Sequence, residues 1–121
     1  MSKNEFSCDC KPINQEAVEE VLSQLPEEPV FDKLANFYKI MGDGTRCKLI
    51  FALQSREELC VSDLANILGM SKSSISHQLS KMKTSAVVKS RKEGKEVYYS
   101  LDDNHIRQIF EITMQHIGHK E

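Results

Sequence analysis

The chain has 121 residues, 40% of them hydrophobic, with a formal net charge of −2. That length suits one domain with a modest core. No apolar run approaches the roughly 20 residues of a membrane-spanning helix, and the opening Met1-Ser-Lys-Asn-Glu-Phe-Ser-Cys8 has no apolar signal region, so a cytoplasmic protein without a membrane role is expected.

Four cysteines in a reducing compartment point to thiols, for metal binding, redox chemistry or burial, rather than to disulfides. Charge is unevenly spread. Residues 1–30 hold two lysines against seven acids, whereas residues 71–97 hold seven Lys/Arg against two glutamates. A local basic zone can bind phosphate even on a slightly acidic chain.

Residues 1–13 are polar, with Cys8-Asp-Cys10 and Pro12, and are expected to form a flexible arm ahead of a single domain over 14–121. Ala17, Val18, Val21, Leu22 and Leu25 predict a helix over 14–24, ended by Pro26-Glu-Glu-Pro29. A second helix over 30–41 would turn Phe31, Leu34, Phe37, Tyr38 and Met41 inward. Gly42-Asp-Gly44 reads as a break, and a third helix follows from Thr45 to Gln54 with Leu49, Ile50, Ala52 and Leu53 apolar. Cys47, beside Leu49 and Ile50, is expected to be buried.

A short helix starts at Val61 and stops at Gly69. Ser71 is a good N-cap for the next, in which Ile75, Leu79 and Met82 recur at helical spacing. Two short helices joined by a glycine turn make a helix-turn-helix. Ala86–Arg91 and Glu96–Leu101 are β-rich, with Lys92-Glu-Gly-Lys95 as a charged hairpin turn. The last helix begins near residue 103. The order predicts a mostly α winged helix-turn-helix with a small β-hairpin.

The outward face of the second helix of the pair would carry Ser73, Ser74, His77, Gln78 and Lys81. Hydroxyl and amide side chains backed by a cation suit base edges and phosphates of double-stranded DNA. Arg91, Lys92 and Lys95 on the hairpin suit a neighbouring phosphate or the minor groove. A helix-turn-helix that serves protein contacts alone is the structural alternative.

The last helix holds three of the four histidines, as Asp103-x-His105, ten residues, then His116-x-x-His119. His116 and His119 share a face. His105 and His116, eleven apart, return to nearly the same face but lie roughly 16 Å apart along the axis. One metal ion, with bonds near 2 Å, cannot reach both ends. Two antiparallel copies can close a four-ligand site, each Asp-x-His end meeting the partner's His-x-x-His end. The spacing therefore proposes a metal and a homodimer together, with two symmetric sites. Ile106, Ile109, Phe110, Thr113 and Ile117 between the ends would form a stripe for the partner helix. Three nitrogens and one oxygen suit Zn²⁺ or tetrahedral cobalt.

Together these stretches resemble the ArsR/SmtB family of metal-sensing repressors, in particular its CadC-like and zinc-sensing members. The matching segments are Gly44-Thr-Arg-Cys-Lys-Leu49, Glu58-Leu-Cys-Val-Ser-Asp-Leu64, Ser74-Ile-Ser-His-Gln-Leu79, Tyr98-Tyr-Ser-Leu-Asp-Asp-Asn-His105 and the Asp-x-His…His-x-x-His pattern, over about residues 30–120. The resemblance implies a dimer joined through its N- and C-terminal helices that blocks operator DNA until metal binds. It implies that Asp103 and His105 of one chain meet His116 and His119 of the other, and that the regulated gene encodes a heavy-metal exporter.

In CadC-like members a second, thiolate-rich site joins the N-terminal arm to a Cys-x-Cys at the helix-turn-helix. Here Cys60 stands at the first of those positions and Ser62 at the second, a departure, while the arm offers Cys8 and Cys10. Three such thiolates would favour Cd²⁺ or Pb²⁺. Packing at a helix start is the plain alternative for Cys60.

Other classes of function are weighed on the same residues. A metalloenzyme needs an open coordination position, and the four-ligand pattern leaves none and has no His-Glu-x-x-His. No enzymatic activity and no small organic substrate are expected. Regulation by thiol redox state, and a dimeric metal-binding interaction protein that does not touch DNA, stay open.

Overall fold

The structure is a computed structural model that describes residues 10–118. The chain divides into two compact units, Met1–Asn36 and Phe37–Glu121.

The first unit contains α1 (Gln15–Gln24) and the start of α2 (Glu28–Met41). Asn14 caps α1, its side chain accepting from the Ala17 N–H at 2.9 Å. Val18, Val21 and Leu22 form the predicted apolar side, yet all are exposed. α2 starts two residues earlier than predicted, because Pro29 fits the first turn, where its missing N–H has no helical acceptor to lose. Val30, Phe31 and Leu34 are exposed as well.

In the second unit, Phe37, Ile40 and Met41 at the end of α2 pack on the core, whereas Tyr38 is exposed. Asp43 caps α3 (Gly44–Ser55) through the Arg46 N–H, so Gly44 opens the helix instead of breaking the chain. Then come β1 (Leu59–Cys60), α4 (Val61–Leu68), α5 (Lys72–Thr84), β2 (Val88–Glu93), β3 (Glu96–Leu101) and α6 (Asn104–Gly118). The antiparallel sheet has the order β1-β3-β2. Its two-residue edge strand is too short to show a period in sequence.

The core is built from Leu49, Ile50 and Leu53 of α3, Leu64 of α4, Ile75, Leu79 and Met82 of α5, and Val87 and Val88. Each such side chain contributes about 1.5–3 kcal/mol on burial. The α5 triplet is the predicted one, and it presses α5 onto the scaffold by its inner face.

Two left-handed residues set the geometry around α5. Gly69 (φ +67°) ends α4 and lets Ser71 begin α5 two residues later. Ala86 (φ +59°) ends the turn after α5. There the Ala86 N–H donates to Lys83 O and the Val87 N–H to Met82 O, at 3.0 and 2.9 Å. This is a Schellman motif, closed by the buried Met82 and Val87. It holds residues 86 and 87 out of β2, which therefore starts at Val88 and not at 86. β2 runs on to Glu93, paired with Glu96, and the hairpin turn shrinks to Gly94-Lys95.

The fold is thus the winged helix-turn-helix, with six helices and one small antiparallel sheet among the described residues and β2–β3 as the wing. Among the described residues no helix is long and apolar enough to cross a membrane.

Candidate nucleic-acid interface and metal half-site

α5 carries three lysines and no acid. Its N-terminus is closed by a hydroxyl cluster: Ser71 Oγ accepts the Ser74 N–H at 3.1 Å and donates to Ser74 Oγ at 3.0 Å, with Ser73 Oγ at 3.3 Å. Ser73, Ser74, His77 and Lys81 are exposed together on the outer face, as the sequence predicts. A helix N-terminus with exposed hydroxyls and no acid on the helix is suited to phosphates and base edges.

Gln78 is only half exposed and already engaged. Arg46 Nε donates to its Oε1 at 2.9 Å, and Arg46 Nη1 donates to Ile40 O at 3.2 Å. Arg46 was invisible to sequence reasoning because its partner lies 32 residues away.

On the wing, Lys92 and Lys95 are exposed. Arg91 is different. Alternation along β2 puts Ser90 and Lys92 on one side and Lys89 and Arg91 on the other. Lys83 Nζ of α5 donates to Ser90 Oγ at 2.8 Å, which marks the first side as that of the recognition helix. Arg91 Nε instead donates to both oxygens of Glu58, at 3.1 and 3.0 Å, and Nη1 to Glu93, while its guanidinium carbon sits 4.8 Å from the Tyr98 ring centroid. These carboxylates push the Arg91 pKa up, Glu58 foremost, and Arg91 holds the Glu58 carboxyl below its ordinary value. Among the described residues Lys92 and Lys95 have no ion-pair partner and stay available on the wing, while Arg91 is a clamp to the residue before β1.

At the start of α6, Asp103 Oδ1 accepts the backbone N–H groups of His105 (2.9 Å) and Ile106 (3.2 Å). Its Oδ2 lies 3.4 Å from His105 Nδ1. The Ile106 N–H, then the His105 side chain, hold the Asp103 carboxyl below the usual carboxylate range. A tetrahedral ion with bonds of 2.0–2.1 Å sets its ligand atoms roughly 3.3–3.4 Å apart. The Oδ2–Nδ1 pair already has that separation, both side chains are exposed, and the carboxylate is fixed by its other oxygen. His116 is exposed near the far end of the same helix; His119 lies outside the described residues. Among the described residues no three His, Cys, Asp or Glu side chains come together in a metal-sized cluster.

The expected partner stripe on α6 is split. Ile106 is 5% exposed in the chain's own core, and Phe110 packs on that core. The Thr113 hydroxyl donates to Ile109 O of its own helix. Ile117 of the expected stripe does stay exposed (53%), and Ile112 (64%) and Met114 (43%), which were not expected, are exposed as well. Arg107 Nη1 donates to Gln54 O at 2.6 Å and fastens the start of α6 to the end of α3, a link that sequence reasoning also missed.

Cys60 is buried, has a free thiol and sits at the N-cap of α4 without capping it, with its backbone paired to Tyr98. Ser62 is half-buried. Cys47 is only half-buried, not buried as expected, because it lies at the margin of the core, where its thiol donates to Met41 O at 3.3 Å. Cys10 is exposed and disulfide-bonded, whereas a metal would need it reduced; Cys8 lies outside the described residues.

A helix-turn-helix whose second helix shows hydroxyl, imidazole, amide and lysine side chains and no acid, beside a wing with exposed lysines, is the architecture of a DNA-binding transcription regulator. Residues 43–90 match the model of the bacterial regulatory proteins of the arsR family. A cadmium resistance transcriptional regulatory protein, CadC homolog, of Staphylococcus aureus is 38% identical over 90% of this chain and 89% of that protein. The chain belongs to the arsR family. A transcriptional repressor SmtB homolog of Synechocystis is 36% identical over 91% of this chain and 83% of that protein. Among solved structures, the homodimeric winged helix-turn-helix domain of a possible ArsR-family regulator of Mycobacterium bovis matches with a TM-score of 0.70, over 78% of this chain and 94% of that one. At 22% identity, that likeness speaks for the fold alone.

Proposed function

We propose that the chain is a metal-responsive repressor that acts in the cytoplasm as a homodimer and leaves its operator when a divalent metal binds. The carrying observation is the Asp103 Oδ2–His105 Nδ1 pair, spaced at 3.4 Å like one edge of a tetrahedral site. In this reading His116 and His119 of a second copy supply the other two ligands, because the eleven residue steps from His105 to His116 span roughly 16 Å of helix, too far for one ion. Zn²⁺ is the ion of choice for three imidazole nitrogens and one carboxylate; when bound, it cross-links two α6 helices. The two curated relatives, named for cadmium resistance and for the repressor SmtB, support the same reading.

Dimerisation covers surface that the single chain leaves open: Val18, Val21 and Leu22 on α1, and Ile112, Met114 and Ile117 on α6. The two α5 helices of the dimer then enter successive major grooves about 34 Å apart. Metal across the α6 pair fixes a dimer geometry that no longer fits that spacing. A second, softer site for Cd²⁺ or Pb²⁺ would use Cys60 with reduced Cys8 and Cys10.

The test is a Zn²⁺ titration of the protein, of His105→Ala and of His116→Ala, with the mass of each species in solution. Two ions per dimer, both lost in either variant, support the shared site. One ion per chain retained in His116→Ala refutes it. The disulfide at Cys10 favours a second reading, regulation by thiol oxidation. Operator affinity that changes with dithiol reductant in metal-free buffer, and not in Cys10→Ser, would establish that reading.

A further inference from the structure

Arg46 and Gln78 are joined by a bond whose chemistry has only one polarity. A guanidinium carries donors and no acceptor. Whichever way the Gln78 amide is drawn, its oxygen must face Arg46 Nε, and the 2.9 Å contact to Oε1 is that arrangement. Arg46 is itself held, since its Nη1 donates to Ile40 O and its own N–H to the Asp43 cap. The amide is therefore oriented from α3, not free to turn on α5.

We infer that Arg46 is a positioning residue that makes Gln78 a hydrogen-bond donor toward DNA. With the oxygen turned to α3, the NH₂ group is the end left for the major groove. The oxygen keeps a second lone pair, but a base donor reaching it would be brought against the guanidinium, donor beside donor. Glutamine reads adenine by giving to N7 and accepting from N6 at once. Gln78 is denied the second half of that pair. Its NH₂ matches the two adjacent acceptors of guanine, N7 and O6. The consequence is a guanine preference where an unrestrained glutamine would prefer adenine.

This inference rests on the DNA-reading role of α5 and adds to it the base that one residue reads. The experiment is selection from a randomised duplex library by the full-length protein, by Gln78→Ala and by Arg46→Met, with folding checked by far-UV circular dichroism. The wild type should enrich guanine, on one strand or the other, at one position per half-site that Gln78→Ala alone flattens. Arg46→Met should move that position toward adenine by about tenfold in relative enrichment, and leave the others unchanged. Adenine at the Gln78-dependent position of the wild type overturns the inference, as does an Arg46→Met profile identical to the wild type. If Gln78→Ala flattens no position, Gln78 reads no base and the inference fails while α5 keeps its role. If the wild type enriches no sequence, the DNA-reading role itself fails. Should Arg46→Met not fold, the choice of guanine or adenine in the wild type decides.

Discussion

Asp103 serves two partners with two oxygens: Oδ1 takes the backbone N–H groups of His105 and Ile106, and Oδ2 stands 3.4 Å from the imidazole of His105. One carboxylate thereby starts the last helix and offers a ligand atom beside a histidine. The two duties separate by substitution. Asp103→Asn keeps an oxygen for the cap and loses the negative charge, so helix content should stay and Zn²⁺ affinity should fall at least about tenfold. Competition with a coloured chelator measures it; an unchanged affinity removes Asp103 from the ligand set.

The cap also predicts a pH dependence. The Asp103 pKa lies below its unfolded value, so its stabilisation is complete above the ordinary carboxylate pKa near 4 and is lost as pH falls through the lower folded value. The melting-temperature gap between wild type and Asp103→Asn should be flat from pH 7 to about pH 5 and narrow in more acid solution. A gap that closes near pH 6 would assign the effect to another group.

Arg91 and the two free wing lysines should part company in salt. Lys92→Ala and Lys95→Ala should each lower the slope of log affinity against log salt by about one, because each removes a phosphate-neutralising charge. Arg91→Ala should leave the slope almost unchanged, since Glu58 and Glu93 already balance that charge. Glu58→Gln, which loosens the clamp, should raise non-specific DNA affinity. Duplex titrations at several salt concentrations distinguish these cases; equal slopes for Arg91→Ala and Lys95→Ala would place Arg91 on DNA.

Ala86 holds a left-handed conformation at the joint between recognition helix and wing. An L side chain there costs about 1–2 kcal/mol, and glycine gives back part of this through its freer unfolded chain. Ala86→Gly should stabilise the protein by roughly 0.5–1 kcal/mol in urea unfolding. Destabilisation would mean that the turn is not held in the Schellman form.

What the sequence revealed, and what it hid, follows from the range of each interaction. Ser71, Gly69 and the Ile75–Leu79–Met82 spacing act within one or two turns of chain, and they located the recognition helix closely. Arg46 with Gln78, Arg91 with Glu58, and Arg107 with Gln54 join residues 32, 33 and 53 positions apart, and nothing local announces them. The apolar spacing of α6 was legible, but not how it would be divided: Ile106 and Phe110 went to the chain's own core, and Ile112, Met114 and Ile117 were left outside. Likewise, the candidate ligands Asp103, His105, His116 and His119 are legible in the sequence, while the double use of Asp103 depends on where its two oxygens lie.

The outward α6 set leads to a further expectation. Ile112→Asp puts a charge at a position 64% exposed in the single chain, where it costs the monomer little. In a dimer closed through α6, it should raise the dissociation constant at least about tenfold by burying an unpaired carboxylate. Sedimentation at micromolar concentration reads this directly. An unaltered dimer with intact circular dichroism would move the interface elsewhere.

The central claim, that metal controls DNA occupancy, is tested most directly by anisotropy of a labelled duplex taken from upstream of the protein's own gene. The protein is titrated at fixed ionic strength, first metal-free and then with one equivalent of Zn²⁺ per chain. The account predicts that Zn²⁺ weakens binding by about 5–150-fold, the range of an allosteric coupling of 1–3 kcal/mol, and that His116→Ala abolishes the difference. Equal affinity with and without metal, on protein shown to hold its Zn²⁺, would contradict it.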